Sequence, residues 1–458
     1  MMRSRSIALV LIALAAGTAR AQQPTSPDTT GLLQAQLANV RHVTLQQALE
    51  DGRQNAPLMV QAQQNVRLSD MGRMEAWAAY LPSITGSASN SKSSSQRVNQ
   101  FGVAQSGAPT DNSSFGLSAN LPLFTGFQRG ANSRLAQANS DMNEAALIAQ
   151  QYATDLATKQ AFFTELANEE LVTVAQTQVR RSGEQLKLTT EKLRLGATTR
   201  ADSLSAQVDF GTQQLALIQA QANALTAQAN LARAIGFAGT VAAVKDTMLE
   251  VRITSLDTAA LRREALANAP SVVEAQATVA AARASLSASR SPIFPNISFA
   301  ASQRWAGSVL FPWSTAPVSS TGSSLPRYTG TWSIGLNISY PLFNNFQREA
   351  GIVQADANEV ASEAKLRDAR LALDANLTQA LTALDAAGQQ IDVSRTQVAA
   401  AEENLRMQRE RYRLGASTIV DMLTAEVSTN QAEVALVQAR YNYLIARAQL
   451  EAYVGHSL

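Results

Sequence analysis

The sequence predicts an α+β membrane protein built from a duplicated helix–β-hairpin–helix unit. Three observations lead to this prediction. The chain repeats itself at a nearly constant offset, each copy contains a long proline-free helical segment, and each copy contains a stretch in which apolar residues alternate with small polar ones. The repeat governs how the other two observations are interpreted, because every structural feature must occur twice.

The repeat is clearest in the second half of each copy. From Glu191 to Gly236 and from Glu410 to Gly455, 20 of 46 positions are identical without a gap, at an offset of 219 residues. Upstream the offset is 213, where Leu81-Pro82 corresponds to Phe294-Pro295. The length difference of six residues therefore lies between Pro82 and Pro122, which indicates a loop of variable length inside one conserved unit.

Residues 1–21 are predicted to be a secretory signal peptide, followed by an N-terminal extended segment at 22–42. Arg3 and Arg5 give the basic start, a short apolar stretch follows, and Ala19-Arg20-Ala21 gives a small-residue cleavage site. The alternative is a membrane anchor, but an apolar stretch of about ten residues is too short for a bilayer, which needs roughly 20. The chain has no cysteine, so a thiol-linked lipid anchor is excluded.

The composition argues against several classes of function. Without the three arginines of the leader the 38 basic residues fall to 35, against 36 acidic residues, which gives no reason to expect nucleic acid as a partner. With two histidines and no cysteine, we expect no metal site, no cofactor and no catalytic residues, and hence no enzyme. The mature chain lacks an apolar run of 18 residues, so no transmembrane helix is expected.

The predicted domain organisation follows the repeat. The first repeat spans 43–236, a connecting equatorial segment spans 237–255, and the second repeat spans 256–455. Within the repeats we predict β-hairpins at 83–123 and 296–342, long helices at about 127–194 and 346–412, and return helices at 200–235 and 418–454.

The long helices are predicted from apolar residues that recur every three or four positions, many of them alanine. At 1.5 Å per residue, such a helix is about 100 Å long, which suits a tube or filament better than a compact domain. Each long helix is expected to end at a glycine, Gly196 or Gly415. Thr199 and Thr418 then begin the return helices, with Asp202 and Asp421 three residues later in the pattern of a capping box.

The hairpins are predicted from a period of two, as in Phe115, Leu117 and Ala119, which alternate with Gly116 and Ser118. This pattern suits strands with one face in lipid and one in water. Loops rich in Ser, Gly and Asn are expected at 100–114 and 308–326. Aromatic residues that could anchor the second hairpin at the membrane interface are Trp305, Phe311, Trp313, Tyr328 and Trp332. The alternative is a soluble hairpin on a helical bundle, but four strands would then leave open edges unless several chains close a barrel.

The chain resembles the TolC-type outer-membrane efflux family, also called outer membrane factors. The resemblance rests on the duplicated helix–hairpin–helix order, on the Pro-Leu-Phe junctions at 122–124 and 341–343, and on the helix turns at 194–199 and 413–423. It covers about 43–455.

The resemblance implies a homotrimer whose strands close a 12-stranded barrel in the outer membrane and whose helices form a periplasmic α-barrel. Such a protein is a passive exit channel, with a gated periplasmic tip, of a tripartite efflux pump or a type I secretion system. Its partners are a periplasmic adaptor (membrane fusion) protein and an inner-membrane transporter of the RND, ABC or MFS type. The alternative from another class is a periplasmic coiled-coil adaptor or scaffold protein, which would leave the two alternating hairpins unexplained.

The resemblance also implies a gate at the tip. Asp421 matches a pore-lining acid, which threefold symmetry would repeat as a ring of three carboxylates that favours cations. Asp202 and Tyr412 match positions that take part in the links that close the tip. Ser417 stands where a basic residue commonly supplies such a link, and Arg200 is a candidate substitute.

Thr424 stands where family members commonly have a second acid, so one acidic ring is expected rather than two. The alternative for Asp202 and Asp421 is that they only cap helices. Six turn residues match the family's docking surface for the adaptor, or else are simple helix C-caps: Arg194, Leu195, Gly196, Arg413, Leu414 and Gly415.

Overall fold

The structure, a computed structural model, describes residues 40–94, 96–98, 102, 104–106, 110–245, 257–307 and 329–456. The predicted signal peptide, most of the N-terminal segment and part of the connecting segment lie outside these residues. So do the predicted interface aromatics Phe311, Trp313 and Tyr328. Among the described residues, no helix combines the length and the hydropathy that crossing a membrane requires.

The described residues form eight α-helices and eight strands in an order that repeats once along the chain. The helices are α1 Leu45–Asn55, α2 Pro57–Ala78, α3 Gln128–Arg194, α4 Arg200–Ala234, α5 Thr258–Asn268, α6 Pro270–Ser289, α7 Gln347–Arg413 and α8 Ile419–Val454. The strands are β1 Arg41–Val43, β2 Ser83–Ser93, β3 Gln96–Val98, β4 Ala104–Ser106, β5 Thr110–Thr125, β6 Val241–Ala243, β7 Asn296–Gly307 and β8 Thr329–Ser339.

The long helices α3 and α7 have 67 residues each, and each follows a strand after a short connection, of two residues before α3 and seven before α7. Phe127 and Phe346 precede them with φ values of 64° and 59°, which turns the chain from strand to helix. Phe124 packs edge-on against Phe127 with ring centroids 5.3 Å apart, and Phe343 packs against Phe346 at 5.6 Å. The duplicated Pro-Leu-Phe signature therefore encodes an aromatic corner between sheet and helix.

The long helices pack side by side in one layer with the shorter helices. In the half that carries the turns, the order is α4–α3–α8–α7, and in the half next to the strands it is α2–α3–α6–α7. The buried side chains between them form separate clusters along the layer, and many of their members are alanine. Small side chains let the helix axes approach closely, so there is little space for a hydrophobic core between neighbouring helices. The layer is therefore open at both edges, with α4 and α2 on one side and α7 on the other.

Strands β2, β5, β7 and β8 form one antiparallel sheet in that order, in which β5 of the first repeat pairs with β7 of the second. The edge strands are β2 and β8. The predicted loop at 100–114 is wrong in part, because β4 lies inside it and β5 begins at Thr110, paired with Ser93 of β2. A ladder between two strands can extend through Ser-rich sequence because backbone groups make its hydrogen bonds.

The two faces of this sheet differ sharply. Its register places Ala301 opposite Ile334 and Phe299 opposite Leu336, so that the large apolar side chains share one face. They are exposed in the single chain: Ile84, Phe115, Leu117, Phe299, Trp332, Ile334, Leu336 and Ile338. The other face carries mainly serine, threonine, asparagine and glycine. An exposed apolar face of this extent requires a cover, and lipid is the cover that a strand with this alternation fits.

A feature that the sequence analysis did not predict joins the two ends of the first repeat. Strand β1 pairs in parallel with β6, with His42 opposite Ala242. The buried Glu165 of α3 accepts a hydrogen bond from the Ala243 N–H over 3.1 Å. Desolvation on burial raises the pKa of Glu165 to about 7, while that hydrogen bond acts in the opposite direction. The strap of β1 and β6 is therefore fixed to the middle of the long helix.

Candidate functional site at the helical tip

Both helical hairpins end in the same turn. Gly196 and Gly415 have φ values of 73° and 76°, the left-handed region that disfavours a side chain. In the first turn the Ala197 N–H donates to the Lys192 carbonyl over 2.8 Å, as in a Schellman motif, and the second turn repeats this bond at the same length. The turn therefore arises from local rules, and both repeats present it in the same form.

The six predicted docking residues lie at these turns. The side chains of Leu195 and Leu414 are 70% and 72% exposed. The guanidinium of Arg194 lies 2.8 Å from Glu191, and that of Arg413 lies 2.9 Å from Glu410, so each arginine pairs along its own helix. The prediction that the turns are helix C-caps is confirmed. Their role in docking stays a prediction, and the two exposed leucines are its strongest support.

Asp202 caps helix α4. Its N–H donates to the Thr199 hydroxyl over 3.2 Å, and its Oδ2 accepts from the Thr199 N–H at 3.3 Å and from the Thr198 hydroxyl at 2.6 Å. These hydrogen bonds, that of Thr198 above all, hold the pKa of Asp202 below its usual range. The capping box predicted from the sequence is thus confirmed.

Asp421 has the equivalent role in α8, with a richer set of donors. Its Oδ2 accepts from the Thr418 hydroxyl at 2.7 Å, from the Thr418 N–H at 3.1 Å and from the Ser417 hydroxyl at 3.2 Å. Hydrogen bonds from Thr418 are the main cause of a pKa below the usual range. Both acids are therefore ionised caps at neutral pH, and capping leaves their charge available to a pore.

The other two predicted gate residues, Tyr412 and Arg200, lie close to the two turns. The hydroxyl of Tyr412 is buried and has no hydrogen-bond partner among the described residues, and the ring packs in a cluster with Ala206, Ile419 and Met422. Lys192 lies over that ring at 4.5 Å. Among the described residues of the single chain, Tyr412 is not hydrogen-bonded to Asp202, and Arg200 forms no ion pair with either aspartate. The substitution of Arg200 for a missing basic partner stays a prediction, which concerns the contacts between copies.

The tip contains a buried acid that the sequence analysis missed. Glu426 of α8 is 2% exposed, and the guanidinium of Arg409 in α7 lies 3.4 Å from its Oε1, while Oε2 has no partner in the part of the chain that the structure describes. Desolvation raises the pKa of Glu426, and the nearby Arg409 opposes that shift. Glu426 falls on the same helical face as Met422 and Thr429, and this break in an apolar stripe was the available signal.

Ion pairs fasten α8 to α3 along much of their shared length. Three pairs cross between the two helices, at distances of 2.5, 2.8 and 3.3 Å: Lys159–Glu451, Arg181–Glu433 and Arg440–Glu170. The Tyr441 hydroxyl adds a hydrogen bond to Glu170 at 2.9 Å. The second repeat is thus joined to the first within one chain by charged as well as apolar contacts.

No group of histidine, cysteine and acidic residues that could hold a metal ion occurs in the part of the chain that the structure describes. The arrangement instead defines a class of protein: long helical hairpins that continue directly into amphipathic strands are the architecture of outer-membrane channels. The sequence profile of the family described as outer membrane efflux protein matches residues 46–237 and 261–456. The chain belongs to this family, and so it is an outer-membrane protein whose helices extend into the periplasm.

Relatives and solved structures agree with this assignment. The outer membrane protein TolC of Escherichia coli is 27% identical over 126 residues, 28% of this chain and 26% of TolC, so the match spans about a quarter of that relative. The outer membrane efflux protein BepC of Brucella suis is 24% identical over 399 residues, 86% of this chain and 80% of BepC. The Campylobacter jejuni CmeC outer membrane channel superposes with a TM-score of 0.73 at 16% identity, covering 90% of this chain and 85% of CmeC.

Proposed function

We propose that three copies of this chain form a passive exit duct of a tripartite efflux pump or a type I secretion system. In this proposal the strands of three chains close a 12-stranded barrel, and the helices close a tube that tapers at Gly196 and Gly415. The observation that carries the proposal is the repeat itself. The packing of α3 on α6, of α3 on α8 and of β5 on β7 joins the first repeat to the second, and each of these three contacts has a counterpart that only a further copy can complete.

The packing of the helices supports a ring of several copies. In the chain, α3 packs against α6 and α8 of the second repeat. The repeat counterpart of α3 is α7, and the counterparts of α6 and α8 are α2 and α4. Since α7 forms one edge of the helical layer and α2 and α4 form the other, α7 of one copy can pack on α2 and α4 of the next. Head-to-tail contacts of this kind close a ring when the rotation per copy divides a full turn.

The edge helix α4 has the surface that such packing needs. Five large apolar side chains are exposed along it in the single chain: Leu204, Val208, Leu215, Ile218 and Leu225. At 100° per residue they fall on the side of α4 opposite to its buried residues, among them Ala206, Ala224 and Leu231. Because an apolar stripe on both sides of one helix indicates two packing partners, α4 is expected to bury its outer side against α7 of another copy.

The pairing of the strands supports the same arrangement. Within the chain β5 pairs with β7, and the counterparts of these strands are β8 and β2, the two open edges of the sheet. Pairing β8 of one copy with β2 of the next would satisfy the backbone groups of both edges, as hydrocarbon surroundings demand. Four strands from each of three copies give 12, and the apolar face would then form the lipid-facing wall.

The tip gives the proposal its gate and its partners. Threefold repetition would place three Asp421 carboxylates, ionised at neutral pH, around the narrow end, and such a ring favours cations. The exposed Leu195 and Leu414 would contact a periplasmic adaptor protein, which in turn binds an inner-membrane transporter of the RND, ABC or MFS type. The inner-membrane transporter would determine whether the cargo is a drug, a metal ion or a protein.

Membrane fractionation followed by single-channel recording tests the proposal. In cell fractionation the protein should sediment with the outer membrane. After purification it should migrate as a trimer and conduct ions in a planar lipid bilayer. Asp421→Ala should reduce its cation preference and leave assembly intact, with Asp421→Glu, which keeps the charge, as the matched control. Recovery as a soluble periplasmic protein without conductance would favour the adaptor or scaffold alternative. Crosslinking of a Leu414→Cys variant in cells, with mass spectrometry, would identify the docked partner.

A further inference from the structure

The polar face of the sheet carries one charge. At its positions in β2, residues 112–122, β7 and β8, the side chains belong to Ser, Thr, Asn, Gly, Ala or Pro, except at Arg304 of β7. The register places Arg304 opposite Gly116 on one side and opposite Thr331 on the other. A lone arginine in a neutral polar surface is unlike the α-helical layer, where arginines pair with acids along and between helices.

The guanidinium of Arg304 is hydrogen-bonded to a serine hydroxyl on the polar face. Its Nη2 donates to the Ser114 hydroxyl over 3.2 Å, and that hydroxyl lies 2.8 Å from the Ser89 hydroxyl. Among the described residues, no carboxylate lies within ion-pair distance of Arg304. The side chain lines a shallow groove of about 320 Å³ together with four further serines: Ser87, Ser89, Ser118 and Ser302. Guanidinium and hydroxyl donors together are suited to oxyanions.

The position of Arg304 along β7 places it far from the helices. Strand β7 begins at Asn296, directly after the helical part, and Arg304 lies eight residues further on, about 26 Å along the strand. With a strand tilt of about 40° this distance corresponds to roughly 20 Å of membrane depth. The apolar band of such a barrel is about 25 Å tall, so Arg304 lies near its outer end on the water-filled side.

We infer that Arg304 forms a cationic collar near the outer mouth of the duct, one guanidinium from each copy, which attracts oxyanions and favours anions at that end. The inference rests on the proposed trimeric duct and adds a selectivity element to it. The collar would oppose the Asp421 ring at the periplasmic tip, so the two ends of the duct would carry charges of opposite sign. A lumen with opposite charges at its ends does not conduct cations and anions alike in both directions.

The expected effect depends on ionic strength. In a wide lumen the three charges act through solvent, and the Debye length is about 30 Å at 0.01 M salt but about 3 Å at 1 M. The influence of the collar should therefore be visible in dilute salt and vanish in concentrated salt. This salt dependence separates a charge effect from a change in pore width.

The test is the reversal potential of single channels in a dilute potassium chloride gradient, measured on Arg304→Gln and Arg304→Ser. Serine is the residue at the repeat counterpart of this position, Ser91, so the strand tolerates it. Either variant should lower the chloride-to-potassium permeability ratio about twofold in dilute salt. Arg304→Lys should behave like the wild type, and Lys92→Gln, which removes a charge from the opposite face of the sheet, should have no effect.

Sodium tripolyphosphate added to the outer side provides a second readout, because it should reduce the wild-type current and leave that of Arg304→Gln unchanged. Normal conductance in the glutamine and serine variants with unchanged reversal potential and unchanged tripolyphosphate block would overturn the inference while the proposed duct stands. A wild-type protein that forms trimers but no channels would instead overturn the proposed duct.

Discussion

The return helices α4 and α8 occupy equivalent positions in the two repeats but have different surroundings. Ile218 of α4 is 62% exposed, whereas its counterpart in α8, Val437, is 4% exposed and shares a buried cluster with Phe162 and Phe163 of α3. The apolar stripe is thus largely covered in the second repeat, where Val427 is its exposed member, and bare in the first. In the proposed assembly α8 has its second partner within the chain, whereas α4 would find one only in another copy.

The chemistry of the two joints also differs. The ion pairs between α3 and α8 involve charged residues whose repeat counterparts are neutral: Thr378 and Ala232, Ala400 and Gln214, and Gln389 and Gln221. The joint between copies would therefore depend on apolar packing, while the joint within the chain has charged contacts as well. Exposed ion pairs weaken in salt, whereas apolar packing does not depend on them. The contact between copies should therefore tolerate high ionic strength.

The largest expected effect is on assembly. Ile218→Arg places a charge in the proposed joint between α4 and α7, and burying an unpaired ion costs several kcal/mol at each joint. We expect loss of the trimer, measured by light scattering in detergent, with the helical content of the monomer retained by circular dichroism. The control is Ile218→Val, which installs the residue found in the second repeat and should assemble normally. A stable trimer of the arginine variant would show that this stripe faces something other than another copy.

The next effect is on the pH dependence of stability. It concerns the buried Glu165 near the middle of α3, whose counterpart in α7 is Leu384. The folded pKa of Glu165, about 7, exceeds its ordinary value of 4.5. Its stabilising contribution is therefore complete below about pH 4.5 and is lost as the pH rises through 7, a change of about 3 kcal/mol. Glu165→Gln should remove this pH dependence from the thermal unfolding midpoint. The exposed Glu184 of the same helix, changed to glutamine, should leave the dependence in place, and an identical pH profile in both variants would contradict the assignment.

A smaller effect concerns Glu426, whose counterpart in α4 is the exposed Gln207. Arg409→Met should leave the buried carboxylate without its cation and destabilise the tip by about 2 kcal/mol, less than for a fully buried pair because Arg409 is partly exposed. Hydrogen exchange of the residues around Met422 would measure the loss. The double variant Arg409→Met with Glu426→Gln should recover most of the protection. Equal exchange in the single variant and the wild type would mean that the pair is unimportant.

The features that could be predicted from the sequence are those encoded locally. Helix α3 is predicted at about 127–194 and spans Gln128–Arg194, because its apolar spacing and its terminal glycine are properties of neighbouring residues. The caps at Asp202 and Asp421 followed for the same reason. The β1–β6 strap was missed because strands of three residues show no alternation.

The burial of Glu165 and Glu426 was missed for a different reason. An alanine-rich helix has apolar residues on several sides, so the sequence does not indicate which side meets a neighbour. The pairing of β5 with β7 is likewise a contact between distant parts of the chain. Such contacts depend on the arrangement of the repeats, which composition and periodicity do not encode.

The central claim is that successive copies join as the two repeats join within one chain, and the strand register tests it most directly. Ser118 of β5 lies opposite Ser302 of β7. Their repeat counterparts are Asn337 of β8 and Ser89 of β2, at offsets of 219 and 213 residues. If β8 of one copy pairs with β2 of the next in the same register, Asn337 and Ser89 face each other on the polar face. Cysteines at these two positions would then lie within reach of a disulfide.

The measurement is oxidative crosslinking of the Asn337→Cys, Ser89→Cys double variant in membranes, in a chain that has no cysteine of its own. The account predicts covalent trimers on a non-reducing gel. It also predicts no crosslink when Asn337→Cys is combined with Thr85→Cys, which lies four residues or about 13 Å out of register. Crosslinking of the out-of-register pair, or monomers alone from the matched pair in a conducting trimer, would contradict it.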